Sequence, residues 1–170
     1  KIAIRANVCT YFPQYGINEK TIFEMQNSIH RGKQKMRKGQ ISINLESLQD
    51  RMANTAQIRE TMKGVKNAGY EYVEVLHFLN PDDGTGWAQI LEESGLKASS
   101  IHELYEDIDG DPERIAKKAK SLGCKYIACG LSRFTVWEDE NSLKELADGL
   151  NRLGRYFKEQ GLRLLYHNHN

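Results

Sequence analysis

From Ile41 onward, short apolar segments alternate with amphipathic ones at a nearly constant spacing, and no other feature constrains the fold as much. Candidate strands begin near residues 41, 72, 97, 125 and 162, one per roughly 30 residues, which is the size of a strand-plus-helix unit. Each crossover segment carries helix punctuation. Asn54 or Thr55 caps a helix over Ala56 to Ala68, ended by Gly69. A helix from about Trp87 stops at Gly95. Asp111-Pro112-Glu113 supplies a cap, a proline at the first helical position and an acidic first turn. A longer helix, about Ser142 to Gln160, places Leu143, Leu146, Leu150, Leu153 and Phe157 on one stripe. Between the helices lie the predicted strands 41–45, 72–76, 97–101, 126–129 and 162–166.

Strict alternation of strand and helix implies a parallel sheet with right-handed crossovers. A doubly wound open sheet and a closed barrel both satisfy it. No G-x-G-x-x-G follows any predicted strand, which counts against a dinucleotide-binding sheet. Residues 1–39 differ in character: they hold no sustained period, are turn-like at Thr10 to Gly16 and carry a basic run at Arg31 to Lys38. The expected division is an irregular basic leader, 1–39, and a barrel segment, 40–170. Met36, just before the first strand, is a natural start for such a domain, and residues 1–35 then read as translated upstream sequence. The rival reading is a basic arm that touches phosphates.

Bulk composition narrows the function classes. A formal net charge of +1 offers no global field for nucleic acid or acidic membranes. No apolar run reaches the ~18–20 residues of a membrane span, and the N-terminus lacks a signal-peptide core. The cysteines, Cys9, Cys124 and Cys129, lack metal-type spacing and are read as reduced thiols of a cytoplasmic protein.

In a parallel barrel the chemistry sits at the C-terminal ends of the strands. Those ends carry Glu46, then His77, then His102 with Glu103, then Gly130 and Ser132, and finally His167, Asn168 and His169. Of the five histidines, only His30 lies elsewhere, in the leader. His167 and His169 share one face of an extended strand, where two imidazoles can bind a divalent metal or a polyol. Bland readings stand beside these. His77 can be a loop residue with its stem against Trp87, and any of the others a hydrogen-bonded core histidine. Glu46 is an acid/base candidate or a plain loop carboxylate. Glu74 lies mid-strand, and an unpaired buried carboxylate is costly, so it faces a polar network in the barrel interior or serves as a ligand.

Five stretches resemble the xylose isomerase-like sugar phosphate isomerase/epimerase family: 41–50, 68–74, 96–102, 119–127 and 160–169, the last ending in Tyr166-His167-Asn168-His169, like the Y-H-N-H strand of one large subgroup. The resemblance covers about residues 40–170. It implies a (β/α)8 TIM barrel, of which about the first five strands and four helices are present. It implies a divalent metal (manganese, magnesium, zinc or cobalt) whose main ligands are expected beyond residue 170, and a sugar or sugar phosphate substrate. The implied chemistry moves a proton at the carbon next to a carbonyl. Carried over residue by residue, His102, His167 and His169 match catalytic positions. Glu74 matches the glutamate of the second strand and Asn168 lies within the Y-H-N-H match; with His77 and Glu46, taken from their strand-end positions, they are read as substrate-binding, although Glu46 departs from the family, many members of which hold Tyr there. Alternatives within the same fold are a dehydratase or lyase, a non-catalytic carbohydrate-binding barrel and, least favoured by the charge, an apurinic endonuclease.

Overall fold

The computed structural model describes residues 41–79, 81, 86–130, 132, 133 and 135–167. The expectations for the leader fall outside these residues. The elements follow in order: β1 (Ser42–Asn44), a 3-10 segment (Leu45–Arg51), α1 (Thr55–Asn67), β2 (Tyr72–Leu76), α2 (Trp87–Ser94), β3 (Lys97–Glu103), α3 (Tyr105–Gly110), α4 (Pro112–Ser121), β4 (Tyr126–Cys129), α5 (Glu140–Glu159) and β5 (Arg163–Tyr166).

The strands form one sheet in the order β1-β2-β3-β4-β5, and every pair is parallel. Sequential order with right-handed crossovers places all the helices on one face. The fold is the first part of a β/α barrel, with helices outside and the other sheet face turned to the barrel axis. The predicted caps act as caps. Asn54, rather than Thr55, accepts from the Gln57 backbone N–H at 3.0 Å, and Asp111 accepts from that of Arg114 at 3.0 Å. Gly95 ends α2 with φ 68°, a left-handed conformation that a side chain resists.

Alternation along the strands sorts the sheet faces. Val73, Val75, Ile101, Ile127 and Cys129 point to the helices and are fully buried against Ile58, Met62, Ile90, Ile115, Leu153 and Phe157. On the axial face the register aligns Asn44 with Glu74, Glu74 with Ser100, and His102 with Ala128. A register shift between Val73 and Glu74 inserts Ser99 as an extra residue of β3. Its hydroxyl meets the Val73 carbonyl at 3.1 Å and the Ser42 hydroxyl at 2.7 Å.

Several expectations need correction. The third strand does not stop at Ile101 but runs through His102 and Glu103, because β4 continues to pair with both. Among the described residues, α3 and the 3-10 segment are additional to the four helices expected. Both are too short to show a period: Ile108 is the only buried residue of α3, and Leu45 that of the 3-10 segment. The apolar stripe of α5 also starts later than predicted. Leu143, in its first turn, remains 37% exposed, whereas Leu146, Leu153 and Phe157 are buried.

Candidate active site

Glu74 is the centre of the polar cluster on the axial face. Its Oε1 accepts from the Asn44 amide at 2.7 Å, and its Oε2 accepts from the Ser100 hydroxyl at 2.5 Å. The His102 Nδ1 lies 3.5 Å from Oε1. That approach suits an ion pair rather than a full hydrogen bond, and among the described residues Nδ1 has no hydrogen-bond partner. Burial pushes the Glu74 carboxyl upward. Its polar contacts with His102 and Ser100, with the charges of His102 and His167, outweigh burial and hold it below the usual glutamate range.

Local sequence explains why this cluster forms. Asn44 ends β1 with its side-chain oxygen capping the Glu46 backbone N–H at 2.8 Å, which leaves its amide N–H for Glu74. The bulge at Ser99 sets Ser100, rather than its predecessor, opposite Glu74. His102 is 6% exposed. Its ring meets that of His167, with centroids 4.6 Å apart and planes tilted by 43°. The His167 backbone N–H donates to the Cys129 carbonyl at 2.8 Å, so the β4–β5 ladder continues one rung past the strand and holds this histidine beside the sheet.

The structure thus brings together three of the sequence-selected residues, Glu74, His102 and His167. The others stand apart or lie outside the description. Glu46 is exposed in the 3-10 segment, and its bond to the cluster is through its backbone, by way of Asn44. His77 follows β2 in a turn, and its backbone N–H donates to the His102 carbonyl at 2.9 Å. Its ring packs edge-on against Phe78, with centroids 5.0 Å apart, while the Trp87 indole donates to the Leu79 carbonyl. Burial lowers the His77 pKa, partly opposed by the charges of Glu103 and Asp107. Asn168 and His169 lie outside the described residues.

Glu103 and Ser132 also have other tasks. Alternation turns Glu103 away from His102 and under α4, where Lys118 donates to it at 2.7 Å. Ser132 donates to Glu106 at 2.8 Å, and the same carboxyl oxygen accepts the Arg133 backbone N–H at 2.7 Å. The site members that sequence reasoning missed are Asn44 and Ser100. Their signal was present as polar positions in register with Glu74, but the bulge at Ser99 hides that register from the sequence. Cys124 and Cys129 are buried, and burial pushes their thiols up to about 11 and about 12, so both act as small apolar groups.

Among the described residues, no three His, Cys, Asp or Glu side chains converge to hold a metal ion. Glu74 instead accepts hydrogen bonds from Asn44 and Ser100 and has the His102 ring at ion-pair distance. What the cluster offers is a carboxylate-oriented imidazole next to a second imidazole, an arrangement suited to binding hydroxyls and moving protons.

The chain matches no protein-family profile and no curated protein. Solved structures do match. A sugar phosphate isomerase/epimerase from Parabacteroides distasonis is 21% identical over 81% of this chain and 54% of its own, with a TM-score of 0.58. A xylose isomerase-like TIM barrel protein from Mycobacterium smegmatis, in complex with magnesium, is 15% identical over 76% and 55%, with a TM-score of 0.58. A xylose isomerase domain-containing protein from Salmonella typhimurium is 16% identical over 78% and 50%, with a TM-score of 0.56. Similar structures also include an L-ribulose 3-epimerase, a probable 3-DHS dehydratase, an AP endonuclease from Brucella melitensis and a protein with a bound zinc atom. The fold is therefore that of the xylose isomerase-like TIM barrels, and the chain spans about half the length of the structures it matches.

Proposed function

We propose that this chain is part of an isomerase or epimerase that acts on a sugar or sugar phosphate by moving a proton at the carbon next to a carbonyl. The observation that carries this reading is the cluster of Glu74, His102 and His167 on the axial sheet face, towards the C-terminal ends of the strands. Glu74 beside Nδ1 orients the His102 ring and leaves Nε2 as its outward nitrogen. His167 supplies a second imidazole at ring-contact distance, so one ring can accept a proton while the other donates one. Isomerase and epimerase neighbours support the reaction class, and the dehydratase neighbour supports the same proton abstraction followed by loss of water. His169 remains a catalytic candidate and Asn168 a substrate-binding one on the resemblance, while His77 and Glu46 remain candidates for substrate contact from their places after strands.

A divalent metal belongs to this reading, supported by the magnesium- and zinc-containing neighbours. The described residues do not form its site, and no step here is routed through it. A small polyhydroxylated substrate suits the cluster better than nucleic acid, since the net charge is only +1. Among the described residues no helix is long and apolar enough to cross a membrane; the cytoplasmic assignment rests on the cysteine reading.

The test uses the protein expressed from its complete gene, supplied with divalent metal in deuterated water and a panel of sugars and sugar phosphates. Deuterium enters a C–H next to a carbonyl in at least one substrate, and His102→Ala slows that entry on the order of 100-fold, within the range of general acid–base catalysis. A panel without deuterium uptake would sink the proposal.

A further inference from the structure

Gly130 directly follows β4, and its backbone N–H donates to the Glu103 carbonyl at 2.8 Å. Its backbone does not need glycine, because the positive-φ residues among those described are Gly69, Gly95, Gly123 and Gly161. Glycine at the end of a strand contributes no packing and often marks a close approach by another group. Here that group is His102. A Cβ on Gly130 would stand 2.8 Å from the His102 Nε2, 3.4 Å from its Cδ2 and 3.5 Å from the Glu103 carbonyl. Gly130 itself is buried.

The adjoining register gives the reason for this space. His102 pairs with Ala128, and alternation puts residues 128 and 130 of the β4 segment on the face that carries the imidazole. Both positions hold minimal side chains, so the ring can lie across β4 towards β5. There it reaches His167 while its other edge stays beside Glu74. A larger residue at 130 would block that course at Nε2, the nitrogen on the side away from Glu74.

We propose that Gly130 is a positioning residue for His102: the absence of a side chain opens the lane across β4 in which the imidazole bridges from Glu74 to His167. This deepens the proposed proton-transfer site and rests on it for its purpose, but not for its geometry. The displaced atom would be the far end of a side chain, so Gly130→Ala can fold with the ring moved aside.

The experiment pairs a double-mutant cycle with a direct reading of the ring contact. Gly130→Ala and His102→Ala are made singly and together, and unfolding is followed in urea. In the His102 background, Gly130→Ala lowers the folding equilibrium constant by roughly two- to a hundredfold. In the His102→Ala background that loss disappears. With labelled histidine, the wild type shows a magnetic contact between the His102 and His167 rings, and Gly130→Ala abolishes it. Gly130→Ala that folds only in the His102→Ala background supports the same conclusion. Equal losses in both backgrounds, failure to fold in both, or an intact ring contact in Gly130→Ala overturns it. None of these readings needs a substrate. Absence of proton exchange with the ring contact confirmed would therefore remove the proposed reaction and leave the positioning role standing.

Discussion

A carboxylate partly withdrawn from water is tolerated only when its lone pairs and charge are met, and half-buried Glu74 meets that condition through the strands on either side of it. Asn44 reaches it from β1, Ser100 and His102 from β3. The lowered pKa of Glu74 has a definite sign in stability. A carboxyl depressed in the folded state stabilises the fold above its unfolded pKa, and the contribution fades as pH falls through the folded value. Glu74→Gln keeps the shape and loses the charge. It should cost about 1.5–3 kcal/mol at pH 7, the range for a hydrogen bond to a charged group. The deficit should shrink below the ordinary glutamate range, as wild-type Glu74 also becomes neutral. Urea unfolding of both proteins at pH 7 and near pH 3 measures it, and a deficit that does not change with pH would refute the charge-based account. At this scale much was legible beforehand. A carboxylate in the middle of an apolar strand and a histidine directly after one are visible signals. Asn44 and Ser100 were not visible as partners, because a one-residue bulge at Ser99 decides which serine faces Glu74.

Helix docking supplies a different kind of contact. The hydroxyl of Tyr105, at the start of α3, lies over Gly149 of α5, where a Cβ would overlap it outright and come 3.0 Å from the ring carbon that bears it. An ion pair between Arg152 and Asp109 joins the same two helices. Gly149 is therefore a docking notch, whereas a Cβ on Gly64 of α1 would meet no atom within 4 Å. The two glycines should respond oppositely to alanine. Gly64→Ala should gain about 0.5–1 kcal/mol from helix propensity and a less flexible unfolded chain. Gly149→Ala should lose about 1 kcal/mol or more, because overpacking of roughly 1–3 kcal/mol exceeds that gain. Equal stabilisation of both in urea titrations would dismiss the notch. A helical pattern cannot distinguish these glycines, because the difference lies in what the neighbouring helix places above each.

The whole molecule presents an asymmetric sheet. One face is sealed by helices, while the axial face carries Ser42, Asn44, Glu74, Ser100, His102 and His167. Among the described residues, β1 and β5 are the two ends of the strand order, so each offers an edge for a further parallel strand. Beside β1, Ile43, Leu48, Val65 and Tyr70 line a mostly apolar hollow of about 620 Å³, and beside β5 a second, mixed one is lined by Leu150, Leu164 and Tyr166 together with Asn151, Arg155 and Lys158. An open strand edge favours association, the more so beside β1, where the hollow is apolar. The 170-residue chain on its own should sediment as concentration-dependent species heavier than its 19.5 kDa monomer. A monodisperse monomer across a hundredfold concentration range would count against that expectation. The sequence by itself determined the alternation of strands and helices, their caps and the parallel topology, because each depends on local periodicity and on residues that punctuate it. Only the tertiary structure decided that His102 faces Glu74 and His167 while Glu103 turns to Lys118, and that a side chain at Gly130 would collide with an imidazole. Those outcomes depend on register between strands remote in sequence, where a shift of one residue moves a side chain to the opposite face.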